Sequence, residues 1–162
     1  RPHHAPGDRA IQAGEPVIID MGARVGGYCG DLTRTIWVGQ PSARLGVIYR
    51  MVAEAQVAAI AVVAAGVEAR RVDGAARDVF ARENLDEYFV HGAGHAIGLR
   101  IHESPFLGQL SNDTLQAGNV VTIEPGLYIP DWGGVRIEDV VLVEDHGHTH
   151  LTAAPRLLDK LR

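Results

Sequence analysis

The stretch HGAGHAIGLRIHE, residues 91–103, decides how this chain is read. Glycines at 92, 94 and 98 are poor helix material, so His91 and His95, four apart, do not form the helix-borne pair of a zinc protease. A glycine-rich strand or loop is the better reading, because backbone without a Cβ lets a ligand or a second strand come close. Three imidazoles, His91, His95 and His102, in so short a segment point to metal binding or proton transfer. The competing account is a solvated loop with incidental histidines, and the rest of the chain must decide between them.

The chain has 162 residues of ordinary globular composition, 46% hydrophobic and 22% charged. That is one domain, 1–162, with enough chain for a sizeable core. A net charge of −5 gives no reason to expect a nucleic-acid partner. The single cysteine, Cys29, excludes an intrachain disulfide framework and a thiolate zinc site, and it fits a reducing compartment. No signal peptide opens the chain and no apolar run is long enough to cross a bilayer, so a cytoplasmic protein without membrane contact is expected. The opening Arg1-Pro2-His3-His4 has no initiator Met and reads as the middle of something longer, so a fragment is expected.

Upstream of the histidines, Val17-Ile18-Ile19-Asp20-Met21 is a β-branched run of the fully buried strand type, ending in an acid. Gly26-Gly27 supplies a turn, and Cys29 to Val38 alternates as a second strand carrying Asp31. Paired as a hairpin, the two strands would set Asp20 and Asp31 facing each other across the ladder. Two helices are then expected, from Arg44 to about Ala65 with Gly66 as its stop, and from Val72-Asp73 to Glu83. Both are most simply scaffold.

Downstream, Ser104-Pro105 is expected to break the chain. Val120 to Glu124 repeats the β-branched run ending in an acid. Val135 to Val143 reads as a third such strand, with Arg136 and Glu138 on one face. His146, His148 and His150 alternate in the tail, which otherwise shows few features up to Arg162. No acid accompanies them in a strand core, so an exposed hairpin edge is expected there rather than a metal site.

Four carboxylates in or at the end of apolar runs, Asp20, Asp31, Glu124 and Glu138, cannot all stay ionised without positive charge, and Arg136 alone is too little. Divalent cations solve this. Four carboxylates and an imidazole are more ligands than one small ion needs, so two metal ions sharing carboxylates is the natural count. Oxygen-rich ligation with one histidine favours Mn²⁺, Fe²⁺ or Co²⁺. Two such ions can hold a bridging hydroxide and polarise a carbonyl, while the other histidines move protons and bind the tetrahedral intermediate.

Five blocks then carry a family resemblance: IDMGA (19–23), GDLTRT (30–35), HGAGHAIGLRIHE (91–103), TIEPGLY (122–128) and VRIEDVVLV (135–143). In order and approximate spacing the chain resembles the catalytic domain of the pita-bread metallopeptidases, from Pro2-His3 to about Thr152. The resemblance implies an α+β fold, a curved antiparallel sheet with helices on its outer face, whose usual upstream part is missing here. It implies that Asp20 and Asp31 chelate one metal with Asp31 bridging, that His95 and Glu124 serve the second, and that Glu138 bridges both. His3 and His102 take the catalytic histidine roles, and His91 and Arg136 belong to the substrate pocket. Two divalent ions per chain are implied, manganese first, with cobalt, iron or zinc as alternatives. Relatives are often dimers, so a homodimer is an expectation.

Gly126 and Arg136-Ile137 stand where methionine aminopeptidases tend to carry Met and Gln-Phe, and they resemble the Xaa-Pro branch, the prolidases and Xaa-Pro aminopeptidases. A proline-containing peptide is therefore the expected substrate, with hydrolysis at the Xaa-Pro bond. Methionine aminopeptidase activity and a non-catalytic peptide-binding role are the competing readings. The intact ligand set speaks against the latter, and against creatinase-like enzymes that share the fold without the metals.

Overall fold

The computed structural model describes residues 2–156. Two strands, β1 (Pro16–Val25) and β2 (Tyr28–Trp37), form an antiparallel hairpin around the positive-φ glycines 26 and 27. Two helices follow, α1 (Ala43–Ala61) and α2 (Ala69–Ala81). Seven short strands follow among the described residues: β3 (Gly94–Ala96), β4 (Glu103–Leu107), β5 (Val120–Ile123), β6 (Gly126–Ile129), β7 (Gly133–Arg136), β8 (Asp139–Glu144) and β9 (Gly147–His150). They make a five-stranded antiparallel sheet in the order β4-β3-β5-β8-β9 and a separate β6-β7 hairpin.

Helix α1 starts where Ser42 accepts a hydrogen bond from the Leu45 amide, a side-chain cap for an otherwise orphaned donor. Leu45, Ile48, Tyr49, Val52, Ala55, Ala59 and Ile60 recur at helical spacing and bury one face against β5, β6 and β7. Val121 and Ile123 of β5, also fully buried, belong to the same core. By strand alternation Thr122 and Glu124 then point to the opposite side of the sheet. The core and the candidate site thus occupy opposite faces of β5.

Several expected boundaries move. Helix α1 ends at Ala61 rather than near Ala65, because the Ala65 and Gly66 amides turn away to the carbonyls of Glu144 and Leu115. Helix α2 begins a turn early, at Ala69, whose amide bonds to Asp113. Ser104-Pro105 does not break the chain but lies inside β4 with a cis peptide bond. β4 is an edge strand, and Ser104 and Pro105 face a bulge in β3 where no ladder bond is required of them. The strand expected from Val135 to Val143 is two strands: the chain leaves the β6-β7 hairpin at Arg136 and joins the large sheet at Asp139. At this crossing Glu138 donates its amide to the Thr33 carbonyl of β2. The expected fully buried first strand is only partly buried, since β1 has a strand partner on one side alone among the described residues. The histidines of β9 lie at the sheet edge as expected. The tail beyond Arg156 lies outside the described residues.

Candidate metal centre

The β1-β2 register sets Asp20 opposite Thr33 and Asp31 opposite Gly22. The two aspartates are therefore diagonal neighbours on one face of the hairpin, not directly opposed as expected. A Cβ at Gly22 would sit 2.8 Å from the Gly30 carbonyl, so glycine keeps the hairpin closed beside Asp31.

His95 is delivered by β3. Thr122 of β5 accepts a hydrogen bond from the His95 amide at 3.0 Å, and a Cβ at Gly94 would fall 2.0 Å from the Thr122 carbonyl. The close approach foreseen for these glycines is a close approach of β3 to β5. The His95 Nδ1–H donates to its neighbour's carbonyl, Ala96 O, at 3.0 Å. That tautomer leaves Nε2 aimed at Glu124 Oε1, 3.3 Å away, and Asp31 Oδ2, 3.9 Å away. A bare lone pair pointed at two carboxylates is repulsive; it requires a proton or a cation between them.

Glu138 comes from the β7–β8 crossing and is 2% exposed. Thr33 donates its hydroxyl to Oε2 at 2.7 Å, but Oε1 has no hydrogen-bond partner. One ligating atom each from Asp31, His95 and Glu138 lies within 4.8 Å of the others, the one such three-residue group among the described residues. Thr122 donates to Glu124 Oε1 at 3.1 Å.

The electrostatics show a surplus of acid. Burial pushes the Glu138 carboxyl up to about 9, helped by the carboxylates of Glu124 and Asp31. Burial also raises Asp31, with Asp20 and Glu124 adding to it. Glu124 is pushed up by burial, but the His95 imidazole outweighs this and holds it below the usual range. Burial pulls His95 down, yet Glu124, Ala96 O and Asp31 more than reverse it. An oxygen-rich set with one imidazole, an orphaned buried carboxylate oxygen and mutual acid repulsion is the donor chemistry of a hard or borderline divalent cation. The residues fit such an ion.

Asp20 differs from the other three acids. Its side chain is 45% exposed, so it does not end a buried strand as its sequence context suggested. Strand β1 runs on to Val25, and Asp20 accepts a hydrogen bond from Arg136 Nη2 at 2.6 Å. Arg136, nearly buried, also donates Nε to Thr33 Oγ1 and Nη1 to Tyr128 Oη at 2.7 Å. Thr33 therefore links Arg136 to Glu138, and the two reach the same side although they do not share one strand.

His91 uses both nitrogens. Nδ1–H donates to Gly92 O and Nε2 accepts from the Tyr128 hydroxyl, each at 2.8 Å. Burial lowers its pKa against the opposing pull of the Gly92 carbonyl and Glu124, consistent with a neutral ring. His102 is exposed, and its ring meets that of His95 edge-on at 4.4 Å. His3 is exposed, close enough for its charge to bear on His91.

Sequence reading missed Tyr128, Thr33 and Thr122 as parts of this site. The β6-β7 register puts Gly134 opposite Tyr128, leaving room for the phenol to reach Arg136.

A hairpin and sheet here bring together carboxylates and one imidazole, the donor set of a divalent-metal centre. The chain belongs to metallopeptidase family M24, whose model it matches over residues 1–145. It is 43% identical over 157 residues to an Xaa-Pro dipeptidase of Pyrococcus furiosus, covering 97% of this chain and 45% of that protein. Among solved structures it superposes on the prolidase from Pyrococcus horikoshii with a TM-score of 0.93 at 43% identity, covering 98% of this chain and 46% of that one. An X-Pro aminopeptidase from Thermotoga maritima gives 0.92 at 35% identity, with 96% and 44% covered. The fold is the pita-bread α+β fold, and the chain spans less than half the length of these relatives.

Proposed function

We propose that the protein carrying this chain is a metal-dependent peptidase that hydrolyses the Xaa-Pro bond of dipeptides or at the N-terminus of longer peptides. The observation that carries this is the grouping of Asp31, His95 and Glu138 ligand atoms, with Glu124 Oε1 3.3 Å from His95 Nε2 and a buried Glu138 oxygen left without a partner. Asp20, Asp31, His95, Glu124 and Glu138 would hold two divalent ions, with manganese first among the candidates. Such ions supply a water of lowered pKa and Lewis acidity toward the scissile carbonyl.

The chain's own groups do the rest. Thr33 and Thr122 fix the oxygen positions of Glu138 and Glu124. The Ala96 carbonyl holds the His95 ring with Nε2 toward the acids. His102, exposed beside His95, donates a hydrogen bond to the substrate carbonyl, and His3 moves a proton at the open side. Arg136 and His91, joined through Tyr128, form the pocket wall that orients the peptide. Support for Xaa-Pro specificity comes from the dipeptidase and prolidase names of the relatives.

The test is metal content and turnover of the full-length protein. The expected result is about two divalent ions per chain and hydrolysis of Ala-Pro or a longer Xaa-Pro peptide that stops on chelation. Metal-supplied, folded protein that cleaves neither substrate would overturn the reading, and preference for an N-terminal methionine would reassign it.

A further inference from the structure

Helix α2 reads as scaffold in the sequence, yet it carries an ion pair with a buried carboxylate, turned toward the histidine segment. Asp73 is 0% exposed and Arg77 donates Nε to its Oδ2 at 2.7 Å. The remaining oxygen, Asp73 Oδ1, accepts the Ala93 amide at 2.9 Å. Arg77 also donates to the carbonyls of Phe89 at 2.7 Å and His91 at 2.6 Å, and its guanidinium stacks 4.3 Å from the Phe89 ring centre. One carboxylate and one guanidinium thus fix three backbone groups between residues 89 and 93.

What they fix is the approach to two candidate ligands. Ala93 faces two ways: its amide goes to Asp73, and its carbonyl accepts the Glu124 amide at 2.8 Å. His95 follows two residues later. We propose that Asp73 and Arg77 are positioning residues for the His95–Glu124 half of the metal centre. They set the separation of Nε2 and Oε1 through Ala93 without touching either side chain. This rests on the metal-centre reading given above. It differs from the ligand assignments in that neither residue meets metal or substrate. A paired, hydrogen-bonded buried carboxylate is a suitable anchor, because removing one partner strands the other and the backbone amide.

The experiment compares Asp73→Ala with Val79→Ala in the full-length protein. Val79 lies on the same helix, buried in the core, and makes none of these bonds, so its truncation loosens α2 without cutting the clamp. Mn²⁺ binding is titrated below both unfolding midpoints. Hydrogen exchange of peptides covering residues 89–96 and 120–126 is followed after chelation.

The expected result for Asp73→Ala is a loss of Mn²⁺ affinity of roughly 10–100-fold, the usual effect of removing an outer support of a metal ligand. Exchange should quicken in both peptides, and Val79→Ala should change neither. Arg77→Lys should show the same losses, since an ammonium cannot reproduce the planar fork. Equal effects of the two alanine variants, or parental affinity in Asp73→Ala, overturn the proposal. If the parent protein binds no metal, the metal-centre reading has failed. The exchange comparison on chelated protein then decides the clamp alone: faster exchange confined to Asp73→Ala upholds it, and unchanged exchange ends it.

Discussion

Replacing Glu138 by glutamine should stabilise the metal-free protein while destroying its metal response. The carboxyl has a pKa of about 9 in the fold, against 4.5 for the free group. Between those values the folded chain holds a proton that the unfolded chain does not. Stability from this group is therefore full below about pH 4.5, falls as pH rises, and is gone above about pH 9. At pH 7 the loss is about 2.5 units of pH at 1.36 kcal/mol each, or about 3 kcal/mol. The Glu138→Gln side chain carries no such penalty: its carbonyl can still accept from Thr33, and its amide can donate toward Asp31 or Glu124. Denaturant unfolding of chelated protein at pH 4.5, 7 and 9 should show a gain of up to ~3 kcal/mol at neutral pH, shrinking to nothing at acid pH. Added Mn²⁺ at 100 times its dissociation constant should stabilise the parent by about 2.7 kcal/mol and the variant not at all. A variant that is less stable than the metal-free parent at pH 7, with no pH dependence in the difference, would refute the assignment of Glu138 as the neutral, orphaned acid of the cluster.

Other expectations concern single contacts. Tyr128→Phe removes the hydroxyl between His91 and Arg136, leaving a buried acceptor and a guanidinium short of a partner. Unfolding should show a loss of about 1–3 kcal/mol. Gly94→Ala forces a Cβ to within 2.0 Å of the Thr122 carbonyl, so β3 and β5 must part; the variant should lose bound metal and yield little soluble protein. His148→Ala and His150→Ala together should leave metal stoichiometry and turnover unchanged, because these rings meet each other on β9, at the far edge of the large sheet.

Strand and helix identities were legible because the β-branched runs and the glycine turn carry local signals. Val120 to Ile123 and the hairpin around Gly26-Gly27 fall where the pattern put them. Boundaries set by distant partners were not legible. Nothing near Ala65 announces that its amide will bond Glu144, and nothing within Val135–Val143 shows that Thr33 will draw the Glu138 amide out of line. Asp31, Glu124 and Glu138 stand out in the sequence because a carboxylate in or at the end of an apolar run is costly. The same rule misjudged Asp20, whose strand continues and whose partner Arg136 lies 116 residues on. Thr33, Thr122 and Tyr128 escaped because a hydroxyl in a strand has no periodicity of its own. Its role is defined by cross-strand register, which the sequence does not state.

The crossing at Ile137-Glu138 joins three pieces of β-structure at one carboxylate. Asp31 arrives from the first hairpin, His95 and Glu124 from the large sheet, and Glu138 from the passage between that sheet and the second hairpin. The grouped atoms of Asp31, His95 and Glu138 come one from each piece, and Asp31 and Glu138 stand far apart in the chain. If the site holds metal as proposed, high-affinity loading would depend on long-range closure rather than on local structure. A nascent chain released before Glu138 is in place would have no finished site to fill. On the proposed reading, an ion would be held firmly only once all three pieces have closed on one another.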